Sequence, residues 1–314
     1  MGAADVVPGV SGGTIAFITG IYEELLSSIS SINLDSFKLL LRGKFKDFWK
    51  AVNGTFFLFL LTGVFLSILT LSKFISEIVS SPEETKEKVL LWSFFFGLIS
   101  ASIIYVGKQI KEWNLLKVIS LLLGAGIAFY ITIASPATGS ESYAYIFLAG
   151  FIAICAMILP GISGSFILLL MGAYPVVLGS IKKLLSALKA GETSLIIENG
   201  ITIGTFAAGC IIGLLSFARL VSFLFKKAPE ITLAVLTGFL LGSLNKVWPW
   251  KVTTEFRVNS DGDKTPYLQE NLSPDRFSEI HSDNYLLAAI GLIILGFTLV
   301  FLIEYLGGKM AKNN

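Results

Sequence analysis

Two short stretches of this chain combine proline, glycine and hydroxyl residues in one order: Pro8-Gly9-Val10-Ser11-Gly12-Gly13-Thr14 and Pro160-Gly161-Ile162-Ser163-Gly164-Ser165. Proline lacks an N–H and clashes with the preceding turn, so a helix breaks there. The glycines that follow permit backbone angles other residues resist. A helix restarting after Gly12-Gly13, or after Gly164-Ser165, points its free N–H groups back at the break, and such ends attract anions. The Ser11, Thr14, Ser163 and Ser165 hydroxyls add donors. The chemistry this equips is anion binding. Neither stretch carries a nucleophile beside a base, and metal ligands are scarce elsewhere. The only cysteines, Cys155 and Cys210, lie in apolar runs, and the single histidine, His281, lies in a polar loop. No metal and no cofactor is expected.

The elements that must position these stretches belong to a membrane. Of 314 residues, 54% are hydrophobic and only 15% charged, against about 25% charged in a soluble domain. Mean hydropathy is +0.77, and phenylalanine alone contributes 25 residues. This excludes a soluble enzyme, a disordered chain and a collagen-like fibre. A net charge of +2 leaves no excess for gripping nucleic acid. Runs near the 20 apolar residues or so that a span needs occur at 55–74, 89–107, 115–134, 201–225, 231–247 and 285–305. Two further apolar stretches, 1–32 and 143–181, are broken at Pro8-Gly9 and Pro160-Gly161. In lipid, broken backbone is tolerated where it lines a cavity or is buried in protein. The fold expected is an all-α polytopic membrane protein whose two stretches are tips of re-entrant helix hairpins.

The stretches are copies. At an offset of 152, seven of fifteen positions are identical between 8–22 and 160–174, running through Gly20/Gly172 and Tyr22/Tyr174. Weaker matches follow in the same order: Thr55-Phe56 and Gly63 with Thr205-Phe206 and Gly213, Pro82-Glu83 with Pro229-Glu230, and Gly97 with Gly238. The reading is two inverted repeats, 1–134 and 143–314, each of about three spans plus one hairpin. Paired broken helices at a repeat interface are the layout of a secondary-transporter site. The apolar segment that leads into Pro160 has no counterpart before Pro8, so the natural chain is expected to begin upstream of Met1. Gly/Ser motifs that only let helices pack closely are the plainer reading, which two copies in register make less attractive.

Charged residues fall into three groups. Arg219 lies inside an apolar run, where an ionisable residue suggests function; the alternative is snorkelling from the helix end beside Lys226 and Lys227. Asp5 and Glu23 flank the first motif and are candidate proton carriers, with cap or interfacial roles as the alternative. Two helix ends supply about half a positive charge each, short of the −1.5 to −2 or so of a phosphate monoester, so a cation or coupled proton is expected. The connector 33–52 is basic. The loop 248–284 is acidic, with a turn-like Asp261-Gly262-Asp263 suited to a small hairpin. Basic residues favour the cytoplasmic side; placing 33–52 inside gives thirteen basic residues inside and nine outside, with 248–284 outside.

Residues 4–23 and 158–174 resemble the bacterial polyprenyl-phosphate transporter family, formerly a domain of unknown function. The resemblance covers the whole chain. It implies a transporter that moves undecaprenyl phosphate across the cytoplasmic membrane, recycling the carrier of cell-wall precursors. The family motif falls on Asp5, Pro8, Gly9, Ser11, Gly12, Gly13 and Thr14, and on Pro160, Gly161, Ser163 and Gly164; Arg219 is not part of it. The partners implied are an anionic polyprenyl lipid and membrane lipids. The alternative is an undecaprenyl-diphosphate phosphatase, whose PGxSRSG motif PGISGS partly resembles, but both copies here lack the arginine. A scaffold or insertion factor has no positive feature in the sequence.

Overall fold

The computed structural model describes residues 1–5, 11–135, 137–258 and 264–312. The first quarter of the chain is built of short helices and one long one: α1 (Gly2–Asp5), α2 (Gly12–Ile18), α3 (Tyr22–Ser30), α4 (Leu34–Leu41), α5 (Phe45–Ala51) and α6 (Gly54–Ser80). Then come α7 (Lys86–Gly107), α8 (Leu115–Ile133), α9 (Tyr143–Ile158), α10 (Gly164–Leu170), α11 (Tyr174–Ala190), α12 (Thr193–Lys227) and α13 (Pro229–Ser243). Strands β1 (Lys251–Val258) and β2 (Lys264–Asn271) and helices α14 (Pro274–His281) and α15 (Leu286–Lys312) complete the chain.

Polar caps mark where apolar runs begin. Asn114 accepts the Lys117 N–H at 3.0 Å, Thr85 accepts that of Lys88 and Ser142 that of Tyr145, each satisfying a donor the first turn leaves free. Among the described residues, α6, α7, α8, α12 and α15 are long and apolar enough to cross a bilayer. The expected span 231–247 is shorter than the hydropathy suggested. Its helix α13 ends at Ser243, and fifteen residues rise about 22 Å against a hydrocarbon core of about 30 Å. The basic connector 33–52 is also more ordered than expected: Asn33 and Ser36 form a capping box at the start of α4, and α5 follows. Leu34, Phe37, Leu41, Phe45 and Trp49 on these two helices are exposed among their lysines, the composition of helices that lie at a lipid–water interface.

The helices pair along their lengths, α8 with α13, α7 with α15, and α9 with α12, while α3 also lies on α12 and α1 on α6. Small residues allow the first two pairings. A Cβ on Gly124 of α8 would run into Val235 O, and one on Gly97 of α7 into Ile293 O. Backbones that close exchange many dispersion contacts, which is how helices associate without a hydrophobic drive between them. The core where these pairs meet includes Phe17, Tyr22, Leu26, Trp92, Ile99, Leu236 and Leu240. By contrast, α6 leaves Phe59, Leu61, Phe65 and Leu69 exposed, as a helix facing lipid does.

The loop 248–284 is not a bare spacer. β1 and β2 pair antiparallel from Lys251↔Asn271 to Val258↔Lys264, with an irregularity around Glu255; the expected turn at Asp261-Gly262-Asp263 lies outside the described residues. A small second core of Val89, Trp250, Phe277 and Ala289 holds the hairpin down. Trp248 Nε1 donates to Leu272 O and Trp250 Nε1 to Asn284 O, both at 2.8 Å.

Candidate functional site

The second motif is a sharp break between α9 and α10. Gly161 sits at φ +83°, and a Cβ there would lie 2.9 Å from both Phe239 O and Ser243 Oγ of α13. Glycine is therefore required twice over, for the angle and for the approach. After α10 the chain returns to where α9 began. The Tyr145 hydroxyl donates to Met171 O, and Ala137 N donates to Leu170 O at 2.7 Å. A second bend of 103° then separates α10 from α11, with Gly172 at φ +64° in the corner.

The first motif meets the second directly. The Ser11 hydroxyl donates to Met157 O at 3.1 Å, and the Gly161 N–H donates to the Thr14 hydroxyl at 2.9 Å. A Cβ on Gly13 would meet Ile158 O at 2.7 Å. Ser11 and Thr14 are buried at 1% and 0% exposure, so these bonds form away from bulk water, where an unmade one is costly. Pro8 and Gly9 lie outside the described residues. Pro160, Gly161, Ser163 and Gly164 are gathered at the junction, and Ser163 and Ser165 share a hydroxyl–hydroxyl bond at 3.0 Å.

The donors of the first motif are not free, as the sequence suggested they would be. Asp5 Oδ1 accepts the Gly12 N–H at 2.6 Å, and the Ser11 hydroxyl accepts that of Gly13 at 3.1 Å. The repeat offset pairs Asp5 with Met157 in the sequence; a Cβ on Gly12 would strike the Asp5 carboxylate, and one on Gly164 would meet Ala153 O at 2.6 Å and the Met157 side chain at 3.1 Å.

Arg219 and Glu23 stand apart from this junction. The Arg219 guanidinium is exposed and donates to Ile32 O at 2.7 Å, just beyond the end of α3. Glu23 is exposed on the first turn of α3. Tyr22 is buried, its ring edge-on to Phe17 at 5.1 Å, and among the described residues its hydroxyl has no hydrogen-bond partner.

Two cations that sequence reasoning passed over lie beside the second motif. A cavity of about 110 Å³ runs from Ser165, Phe166 and Tyr174 to Lys246, under Tyr267 and Gln269 of β2. A neighbouring cavity of about 370 Å³ is lined by Lys246 and Lys251, with Thr132, Asn245 and Glu270 among its walls. Lys246 looked like a helix-end charge and Lys251 like a loop charge; the one local signal was their setting among Trp248, Trp250 and an apolar run.

Residues 1–265 match the model of a family described as VCA0040-like, undecaprenyl phosphate translocase-like. A Vibrio cholerae protein named polyprenyl-phosphate transporter is 44% identical over 305 residues, covering 97% of this chain and 93% of its own length. A Staphylococcus aureus protein of the same name is 31% identical over 262 residues, covering 79% of this chain and 83% of its own. No solved structure matches the chain.

Proposed function

The chain belongs to the undecaprenyl phosphate translocase-like family, and from that premise we propose that it is a polyprenyl-phosphate transporter of the bacterial cytoplasmic membrane, moving undecaprenyl phosphate between leaflets. The observation that carries this is near full-length identity to a protein named for that activity. The junction of the two motifs supports a place for the headgroup. The Thr14, Ser163 and Ser165 hydroxyls lie there for a phosphate, and the Gly12 N–H and the Ser11 hydroxyl would join them only on leaving Asp5 and Met157 O, while the polyprenyl tail stays in lipid. Phosphatase chemistry is the less favoured reading, because the relatives are named transporters.

We read the two halves as inverted repeats. α7 and α13, which carry the matched Gly97 and Gly238, each pack on the last long helix of the other half, α7 on α15 and α13 on α8, as a pseudo-two-fold relation requires. Rocking one half on the other around the fixed junction gives alternating access. Asp5 is our candidate for the coupling group. Its carboxylate holds the Gly12 N–H that a headgroup would use, and a second anion there is disfavoured unless Asp5 takes a proton. Glu23 is the second candidate, at the entrance to α3. Arg219, bonded to the end of α3, is placed at the rim of the protein in this reading and away from the headgroup.

The test is reconstitution of the purified protein in liposomes with labelled polyprenyl phosphate. Leaflet exchange without release of inorganic phosphate is expected. Steady phosphate release from a polyprenyl diphosphate, with no exchange, would replace the transporter by the phosphatase.

A further inference from the structure

The cavities under the β-hairpin hold more positive charge than the protein neutralises. Lys251 is 3% exposed. Its ammonium donates to Lys246 O and sits 3.6 Å from the centroid of the Trp92 ring. The Lys246 ammonium lies 4.4 Å from the centroid of Phe166, the third residue of α10. Among the described residues neither ammonium has a carboxylate within ion-pair distance. The carboxylate that acts on Lys251, Glu84, is already engaged: Lys88 lies 3.4 Å from it, and the Thr253 hydroxyl donates to it. Glu270 is exposed at the wall of the larger cavity. Lys88 and Lys251 thus share one buried carboxylate, and Lys246 adds a further positive charge beside Lys251. Burial, with Lys246 and Lys88 nearby, holds the Lys251 ammonium well below the usual lysine range, and Glu84 only partly opposes this.

Uncompensated charge in such a place is costly, so the lysines by themselves favour release of a proton, and an anion that joins them favours their charged form. The aromatic faces offset part of the cost but carry no net charge. Two ammoniums match the −1.5 to −2 or so of a phosphate monoester. The surroundings match the remainder of the molecule. Ser165, Tyr174 and Gln269 provide polar atoms on the smaller cavity, while Val79, Trp92, Phe166 and Leu169 provide apolar wall. The position follows from the short helix before it. α13 ends at Ser243, beside Gly161 of the second motif, so Lys246 is set only three residues beyond that contact.

We propose that Lys246 and Lys251 form a phosphate-accepting site between the second motif and the β-hairpin, where the headgroup of a polyprenyl phosphate docks before or after it passes the motif junction. Ser165 belongs to both places: it lines the cavity with Lys246 and bonds Ser163 of the motif. This inference rests on the transporter reading for its lipid and on the lysine geometry for its site.

The experiment uses the purified full chain in detergent, with farnesyl phosphate as probe, farnesol and inorganic phosphate as comparisons, and liposome exchange of labelled polyprenyl phosphate run in parallel. Lys246→Gln and Lys251→Gln are each expected to weaken farnesyl phosphate binding at least about tenfold, the scale of one lost charge-assisted bond. Lys246→Arg and Lys251→Arg, which keep the charge, are expected to restore most of it. In the wild type, farnesyl phosphate should slow acetylation of Lys246 and Lys251, read by mass spectrometry, and farnesol should not; this arm stands even where a glutamine variant fails to fold. Unchanged affinity in both glutamine variants, or acetylation rates unmoved by farnesyl phosphate, overturns the site. Equal protection by inorganic phosphate overturns its assignment to the lipid and makes it a site for free phosphate. Protection without leaflet exchange in the wild type sinks the transporter reading and leaves the site standing. Exchange without protection does the reverse.

Discussion

Asp5 and Gly12 are joined by a single hydrogen bond of 2.6 Å, and the protein's one charged motif residue is held by it. Replacing Asp5 by Asn keeps an acceptor oxygen and removes the charge. A bond to a neutral acceptor is worth about 1 kcal/mol against about 1.5–3 for a charged one, so Asp5→Asn should fold with a stability loss of roughly that difference. If Asp5 carries the coupling proton, leaflet exchange should fall by about tenfold or more, the behaviour of an interaction needed in the cycle and absent from the fold. Wild-type exchange by Asp5→Asn would return the residue to a plain cap. Gly161 makes the complementary case, in which function and fold fail together. Alanine at its φ of +83° costs about 1–2 kcal/mol, before counting the contacts at 2.9 Å with Phe239 O and Ser243 Oγ. Thermal unfolding in detergent should show Gly161→Ala with a lowered midpoint, and an unchanged midpoint would mean that α13 yields easily at this contact.

At the scale of elements, the glycines of α8 separate two roles that look the same in sequence. Gly124 and Gly126 both lie in the run Leu115–Ile133, and both read as packing residues. Among the described residues only one of them has a close neighbour: a Cβ on Gly124 would run into Val235 O, while one on Gly126 meets nothing within 4 Å. Gly124→Leu should force α8 and α13 apart, with a cost of about 1–3 kcal/mol or more for overpacking and a loss of the monodisperse species in size-exclusion chromatography. Gly126→Leu should elute as wild type. Equal tolerance of both would refute the close approach of these helices. The same short contacts explain why α13 can end early. It is held along α8 and at Gly161, so it needs no further apolar turns to stay in place, and the residues that follow it come to line cavities.

For the whole molecule, the proposed topology places α4 and α5 in the cytoplasm and the β-hairpin with α14 outside. An impermeant maleimide should label Glu279→Cys, exposed on α14, in intact cells. It should label Lys46→Cys on α5 only after the membrane is opened. The opposite pattern would invert the molecule and turn the lysine cavities toward the cytoplasm. Much of this architecture was legible in the residues alone. Long apolar runs specify spans because lipid leaves a backbone few other ways to satisfy its hydrogen bonds, and a Pro-Gly pair inside such a run specifies a break because proline cannot continue the helix. Both are local properties, readable wherever they occur. Which cation faces the interior is not local. Arg219 and Lys246 each stand near the end of an apolar helix, and Arg219 had the stronger claim because it lies within the run itself. Packing reversed their positions: α3 lies on α12 and offers Arg219 the free carbonyl of Ile32 at the surface, whereas α13 stops at Ser243 and the hairpin closes over Lys246. That outcome depends on where two helices end and on what folds back across them from residues far along the chain, and only the assembled tertiary structure decides it.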